Sequence, residues 1–303
     1  MARDGSSVMA RHGSGATARD GSSAAGALAI VAPTIGYRGA EAALRDVRLD
    51  VAAGASVAVL GGNGAGKTAL LRALVGLLPT PGGRVEIAGR RVASPSDAVA
   101  AGAALVLQDP DDQLLGATLL DDVLFGPRNL GLSDGEARRR AGAALAAVEL
   151  AHLEGRAIEA LSFGERKRAC IAGMLAMQPR VLLLDEPTAG LDPAGELALC
   201  RTLRALSAER GTTLVVATHA VDLVPLLCDR VVLLGDGRVL ADGPPREVFG
   251  RGELLERARM RRPWVAELWT RMAAAEPRAG LGGRAGLPLT LEEALGCMTP
   301  VCC

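Results

Sequence analysis

Eight consecutive residues, Gly61, Gly62, Asn63, Gly64, Ala65, Gly66, Lys67 and Thr68, fit the pattern G-x-x-x-x-G-K-[ST] without a mismatch. The chemistry open to such a run is the holding of a polyphosphate. Its glycines let successive backbone N–H groups turn inward as an anion-binding nest. A helix beginning where the loop ends adds the partial positive charge of its N-terminus. Lys67 places a point charge on the β- and γ-phosphates, and the Thr68 hydroxyl can ligate Mg²⁺. The flanks suit this role: the apolar run 55–60 reads as a strand and 69–78 as a helix. A glycine-rich turn that matched by chance would not need that context.

A second chemical feature is the acidic pair Asp185 and Glu186, which closes the apolar run 181–184 and precedes Pro187. Two carboxylates at the end of a buried strand are costly unless they hold a cation or polarise water. Asp185 is the candidate for holding Mg²⁺, directly or through water. Glu186, one residue on, is the candidate for orienting or deprotonating an attacking water.

These residues need a scaffold, and the rest of the chain supplies its pattern. Apolar runs at 28–31, 43–51, 56–60, 85–87, 104–107, 181–184, 213–217 and 231–234 read as strands. The run 181–184 is continuous, as in a parallel strand buried on both faces. Helical spacing fills most of 117–160 and 169–177. Alternating strands and helices predict a doubly wound α/β core. With 303 residues, 49% hydrophobic and 2% aromatic, that core is built from Ala, Val, Leu and Ile. Lys and Arg total 34 and Asp and Glu total 34, so the balance predicts no nucleic-acid partner. Only two lysines occur, Lys67 and Lys167, in an arginine-rich chain. No long uncharged apolar run predicts a membrane span, and the N-terminus has no apolar signal-peptide core.

Residues 1–26, where Ala-Arg-Asp-Gly-Ser-Ser occurs at 2–7 and again at 18–23, read as a disordered extension. A domain is expected over 27–250, followed over 251–303 by a helical extension in which Thr290 caps the last helix. Cys170, Cys200 and Cys228 read as reduced core residues. Cys297, Cys302 and Cys303 read as an exposed tail, with a metal or redox role left open.

A third motif, Leu161-Ser162-Phe163-Gly164-Glu165, resembles the signature of the ATP-binding-cassette family, usually Leu-Ser-Gly-Gly-Gln. Ser162 and Gly164 match; Phe163 and Glu165 differ and bring bulk and negative charge. The resemblance implies further assignments, residue by residue. Tyr37 would stack on adenine. Gln108 would touch Mg²⁺ or the attacking water and sense the transporter. Asp192 would lie in the loop crossing a dimer interface, and His219 would contact the γ-phosphate. Ser162 and Gly164 would grip the phosphate held by an opposite subunit. The fold implied is a P-loop NTPase cassette: a RecA-like parallel sheet core, an antiparallel β subdomain and an α-helical subdomain.

Within that family, Gln108-Asp109-Pro110-Asp111-Asp112-Gln113-Leu114, the stretch 121–127 and the tail 287–294 are similar to ATPases of energy-coupling-factor and cobalt or nickel importers. The resemblance implies an ATP- and Mg²⁺-dependent ATPase on the cytoplasmic membrane face. Its partners would be a second ATP-binding subunit, a transmembrane coupling subunit docking near Gln108, and a substrate-binding membrane subunit. A cassette ATPase acting on DNA or ribosomes is the alternative, although 69–161 carries no sustained heptads for a coiled-coil insertion. A small-molecule P-loop kinase is a weaker rival, because it would need neither the signature nor His219.

Overall fold

In a computed structural model, residues 26–37, 39, 41–275 and 286–298 are described. In chain order the elements are β1 (Leu28–Ile35), β2 (Leu44–Val51), β3 (Ser56–Leu60), α1 (Lys67–Leu74), β4 (Arg84–Ile87), β5 (Arg90–Arg91), α2 (Pro95–Ala100), β6 (Ala103–Val106), α3 (Leu119–Asn129) and α4 (Asp134–Ala147). There follow α5 (Phe163–Ala176), β7 (Val181–Asp185), α6 (Pro193–Arg210), β8 (Thr213–Thr218), α7 (Val224–Leu227), β9 (Arg230–Gly235), β10 (Arg238–Gly243), α8 (Pro245–Gly250), α9 (Gly252–Arg257), α10 (Trp264–Ala275) and α11 (Leu291–Met298).

Two sheets carry the fold. One is antiparallel, in the order β2-β1-β4-β5. The other runs β10-β9-β3-β8-β7-β6, parallel except for β10 at its edge. Side chains along a strand point alternately to opposite faces, so β7 divides its residues between two cores. Leu182 and Leu184 join the helices α3 to α6 on one face. Val181 and Leu183 join α1 and the antiparallel sheet on the other. That double burial is why the run has no polar interruption.

Strand β10 has no counterpart among the expected elements. Its inward residues are interrupted by a bulge between Val239 and Ala241, and it packs only at a sheet edge, so its alternation is weak. Helix α1 ends at Leu74, before the expected residue 78, because the N–H groups of Leu77 and Leu78 both fold back to the Arg72 carbonyl. Thr290 caps α11 as expected, its hydroxyl accepting from the Glu293 N–H at 3.3 Å. Cys170, Cys200 and Cys228 are buried and free. Of the expected extension over 1–26, residues 1–25 lie outside the described residues, as do Cys302 and Cys303; Cys297 is half-buried on α11.

Candidate nucleotide site

The site forms at the C-terminal ends of the parallel strands. Strand β3 ends at Leu60, and the glycine-rich loop then turns into α1, which starts at Lys67 itself. Gly66 stands at φ +97°, and a Cβ there would lie 2.7 Å from Leu44 Cγ. Only glycine permits both the left-handed backbone and that approach. Lys67 curls back over its own loop: Nζ donates to the Gly61 carbonyl at 2.7 Å and to Gly62 at 3.4 Å. It also lies 3.5 Å from Glu186 Oε1, with both side chains almost fully buried. A buried ammonium and a buried carboxylate each need such a partner.

Glu186 follows the last residue of β7 in a left-handed conformation, φ +47°, which is unusual for a non-glycine residue. Its N–H is held by the Ala217 carbonyl at 2.8 Å. Its second oxygen, Oε2, receives the His219 N–H at 3.3 Å and lies 2.9 Å from His219 Nδ1. One carboxylate thus joins β7, the turn after β8 and the phosphate loop.

Asp185 is buried, and burial pushes its carboxyl above its usual range, while the Thr68 hydroxyl, donating to it, works against that shift. Asp185 Oδ1 has no hydrogen-bond partner. An orphaned carboxylate oxygen beside a hydroxyl, with the Gln108 amide on the same cavity, is the hard-oxygen donor set that suits Mg²⁺. Among the described residues no cluster of three or more His, Cys, Asp or Glu is arranged for a metal.

These residues share one cavity of about 590 Å³. It is lined by the loop from Gly62 to Thr68 and by Tyr37, Gln108, Asp185, Glu186 and His219. Tyr37 stands half-exposed at its rim, its hydroxyl accepting from Arg72 at 2.9 Å. A cavity of similar volume, about 560 Å³, lies at the opposite strand ends around Arg180 and Gly211, far from any phosphate loop.

Ser162, Gly164 and Asp192 do not line the cavity. Ser162 caps α5: its hydroxyl accepts from the Glu165 N–H at 3.3 Å, and Glu165 returns the bond to the Ser162 N–H at 2.7 Å. The Glu165 charge is therefore engaged locally, in a capping box, and that bond from Ser162 holds its carboxyl below the usual range. Asp192 caps α6 through the Gly195 N–H at 2.6 Å. The Phe163 ring lies against Gly190, which at φ +82° has no Cβ to obstruct it. This joins the start of α5 to the loop before Asp192.

Two residues absent from the sequence-derived set stand behind Gln108. Gln113 accepts the Leu107 N–H at 2.8 Å and donates to the Cys170 carbonyl at 3.2 Å. Lys167 donates to the carbonyls of Leu107 and Gln108 from full burial. Lys167 carried one sequence signal, its rarity as one of two lysines.

Comparison with known proteins agrees with this geometry. Residues 44–189 match the ABC transporter domain family. The chain is 45% identical over 260 residues to a putative ABC transporter ATP-binding protein of Geobacter sulfurreducens, covering 85% of this chain and 91% of that protein. The chain belongs to the ATP-binding-cassette family. This cassette is also 45% identical to the cobalt import ATP-binding protein CbiO of Rhodobacter capsulatus, over 88% of this chain and 94% of that one. It is 38% identical to the energy-coupling factor ATP-binding protein EcfA2 of Clostridium perfringens, over 75% and 80%. Among solved structures, cbiO1 of Clostridium perfringens, part of the complex cbiONQ, superposes with a TM-score of 0.69 at 35% identity, over 84% of this chain and 97% of that one. The cassette is thus an ABC-type ATPase with the P-loop fold of that family. No helix among the described residues is long and apolar enough to cross a membrane.

Proposed function

We propose that this cassette is the ATP-hydrolysing subunit of an energy-coupling-factor or cobalt-type importer, driving uptake of a transition-metal ion or a vitamin. The carrying observation is the single cavity that gathers the phosphate loop, Asp185, Glu186, Gln108 and His219, in a chain so similar to CbiO.

The chemistry follows from the geometry. ATP enters with adenine on Tyr37 and its β- and γ-phosphates over the loop N–H groups. Lys67, held between Gly61 and Glu186, exchanges those partners for phosphate oxygens. Thr68, Asp185 and Gln108 would hold Mg²⁺, which supplies charge neutralisation on the β- and γ-phosphates when bound. Glu186, released from Lys67, takes a proton from the attacking water. His219 donates Nδ1–H to Glu186, and in its doubly protonated form it also donates Nε2–H to the γ-phosphate.

Ser162, Gly164 and Asp192 act on a second cassette. They lie away from this chain's own cavity, at the starts of α5 and α6, whose helix N-termini would favour an anion. Two cassettes arranged head to tail would place each signature over the other's ATP. A cassette of 26% identity has been solved as a dimer in a post-hydrolysis state bound to ADP and Pi, with a TM-score of 0.66 over 72% of this chain and 98% of that one, which supports this reading.

The transmembrane coupling subunit would dock in a groove of about 360 Å³ beside Gln113, where Leu77, Leu115 and Phe125 are exposed. Gln113 lines this groove and also binds Leu107, next to Gln108, so a partner in the groove pushes on the residue that meets the nucleotide. Isolation of the tagged chain from native membranes tests the reading. A co-purifying transmembrane subunit and ATP-dependent uptake of labelled Co²⁺, Ni²⁺ or a vitamin are the expected results. An ATPase stimulated by DNA or ribosomes, with no membrane partner, overturns it.

A further inference from the structure

Lys167 is a charged side chain with no exposure at all, two residues beyond the signature 161–165 on the same helix, and no role given to that motif calls for its charge. A methionine would fill the same space without the cost of dehydrating an ammonium. The fold bears that cost, so the charge itself has work to do. Its Nζ reaches the Leu107 carbonyl at 3.4 Å and makes a shorter bond to the Gln108 carbonyl. These two residues follow β6, and the second of them, Gln108, lines the nucleotide cavity.

The same face of α5 holds the rest of that loop. Arg166 pairs with Asp111 at 3.0 Å. The Cys170 carbonyl accepts from Gln113 at 3.2 Å, and its thiol lies 3.9 Å from the Pro110 carbonyl. Residues 166, 167 and 170 follow helical spacing along one stripe. The loop 107–113 is therefore fixed to α5 by side chains rather than by the sheet it leaves. Burial lowers the Lys167 pKa, and Cys170, Asp185, Glu186 and Asp109 offset that shift only in part. An arginine would not serve, because its planar fork fits carboxylates better than two converging backbone carbonyls.

We propose that Lys167 is the positioning residue of Gln108, clamping its backbone to the signature helix so that its amide faces the nucleotide cavity. One consequence is mechanical. Ser162 begins α5 and would meet the ATP of a second subunit, whereas Gln108 lines this chain's own cavity. The Lys167 clamp makes both ends of the interface ride on one helix. The inference rests on the reading of Gln108 as a residue that meets Mg²⁺ or water.

The experiment is a double-mutant cycle on the full-length chain with Lys167→Met and Gln108→Ala, reading steady-state ATP turnover, ATP affinity by a fluorescent nucleotide, and the Mg²⁺ dependence of turnover. Lys167→Met is expected to lower kcat by about tenfold and raise the Mg²⁺ requirement, with ATP affinity held within about threefold. Joined to Gln108→Ala it should add less than about twofold to the larger single defect, because both changes remove one function. Lys167→Gln, which keeps two N–H donors, should recover part of the turnover, and it carries the same cycle if the Met variant does not fold. Wild-type kcat in both Lys167 variants, or defects that multiply with Gln108→Ala, overturns the proposal while leaving the role of Gln108 intact. Full turnover in Gln108→Ala alone overturns that role and the clamp with it. An equal loss of ATP affinity and turnover marks Lys167 as a folding residue and also overturns the proposal.

Discussion

Glu186 is the proposed general base, and its one carboxylate meets Lys67, the His219 ring and the His219 backbone. Glu186→Gln keeps the size and most of the hydrogen bonds but cannot take a proton. Its ATP turnover should fall by about 10²–10⁴-fold, the usual share of a general base, with ATP binding retained. Near-normal turnover in that variant would refute the base assignment. Tyr37 offers a separate measure of binding. Tyr37→Ala should weaken ATP affinity by about 1–3 kcal/mol if the ring stacks on adenine. Tyr37→Phe, which loses only the Arg72 bond, should bind nearly as the wild type does; equal losses in the two variants would transfer the role from the ring to the hydroxyl.

At the scale of elements, α5 carries two tasks at its first turn. Ser162 closes the capping box on Glu165, and on the proposed function it would also meet a second subunit's nucleotide. Ser162→Ala removes the cap, so the unfolding free energy should drop by about 0.5–2 kcal/mol in a denaturant titration, with the cooperative transition kept. The buried thiols report on the same packing. Burial pushes Cys170 up to about 12 and Cys200 up to about 11, and raises Cys228 further. Raised values leave few thiolates near pH 8. Alkylation of the native protein at that pH should spare these three cysteines, and mass spectrometry would show modification there only after unfolding. Labelling of Cys170 in the folded protein would mean that α5 opens readily from the loop 107–113.

For the molecule as a whole, the signature residues stand off the cavity of their own chain, and the proposed head-to-tail pairing would complete each site from a second cassette. Glu186→Gln with ATP should run as a dimer in size-exclusion chromatography, and as a monomer without nucleotide. On the proposed function the groove beside Gln113 would receive the membrane subunit. Phe125→Glu, at an exposed position, should abolish co-purification with a membrane subunit while basal ATP turnover of the isolated chain stays unchanged. Retained co-purification would move the docking surface elsewhere.

What sequence alone determined is the set of local chemistries. The phosphate loop, the acidic pair after 181–184 and the double-faced strand β7 are each legible within a few residues, because a nest, a helix start and a strand buried on both faces impose their own patterns. Tyr37, Gln108, Asp192 and His219 stood out only through family resemblance, since a lone tyrosine, glutamine, aspartate or histidine has no local pattern. Tertiary structure decided their relations. Only the sheet order β3-β8-β7 brings Lys67, His219 and Glu186 within contact, and only the docking of α5 places Lys167 under Gln108. The physical reason is separation along the chain. Periodicity and propensity act over a turn or a strand, whereas these contacts join residues brought together by burial of two cores on the two faces of one parallel sheet.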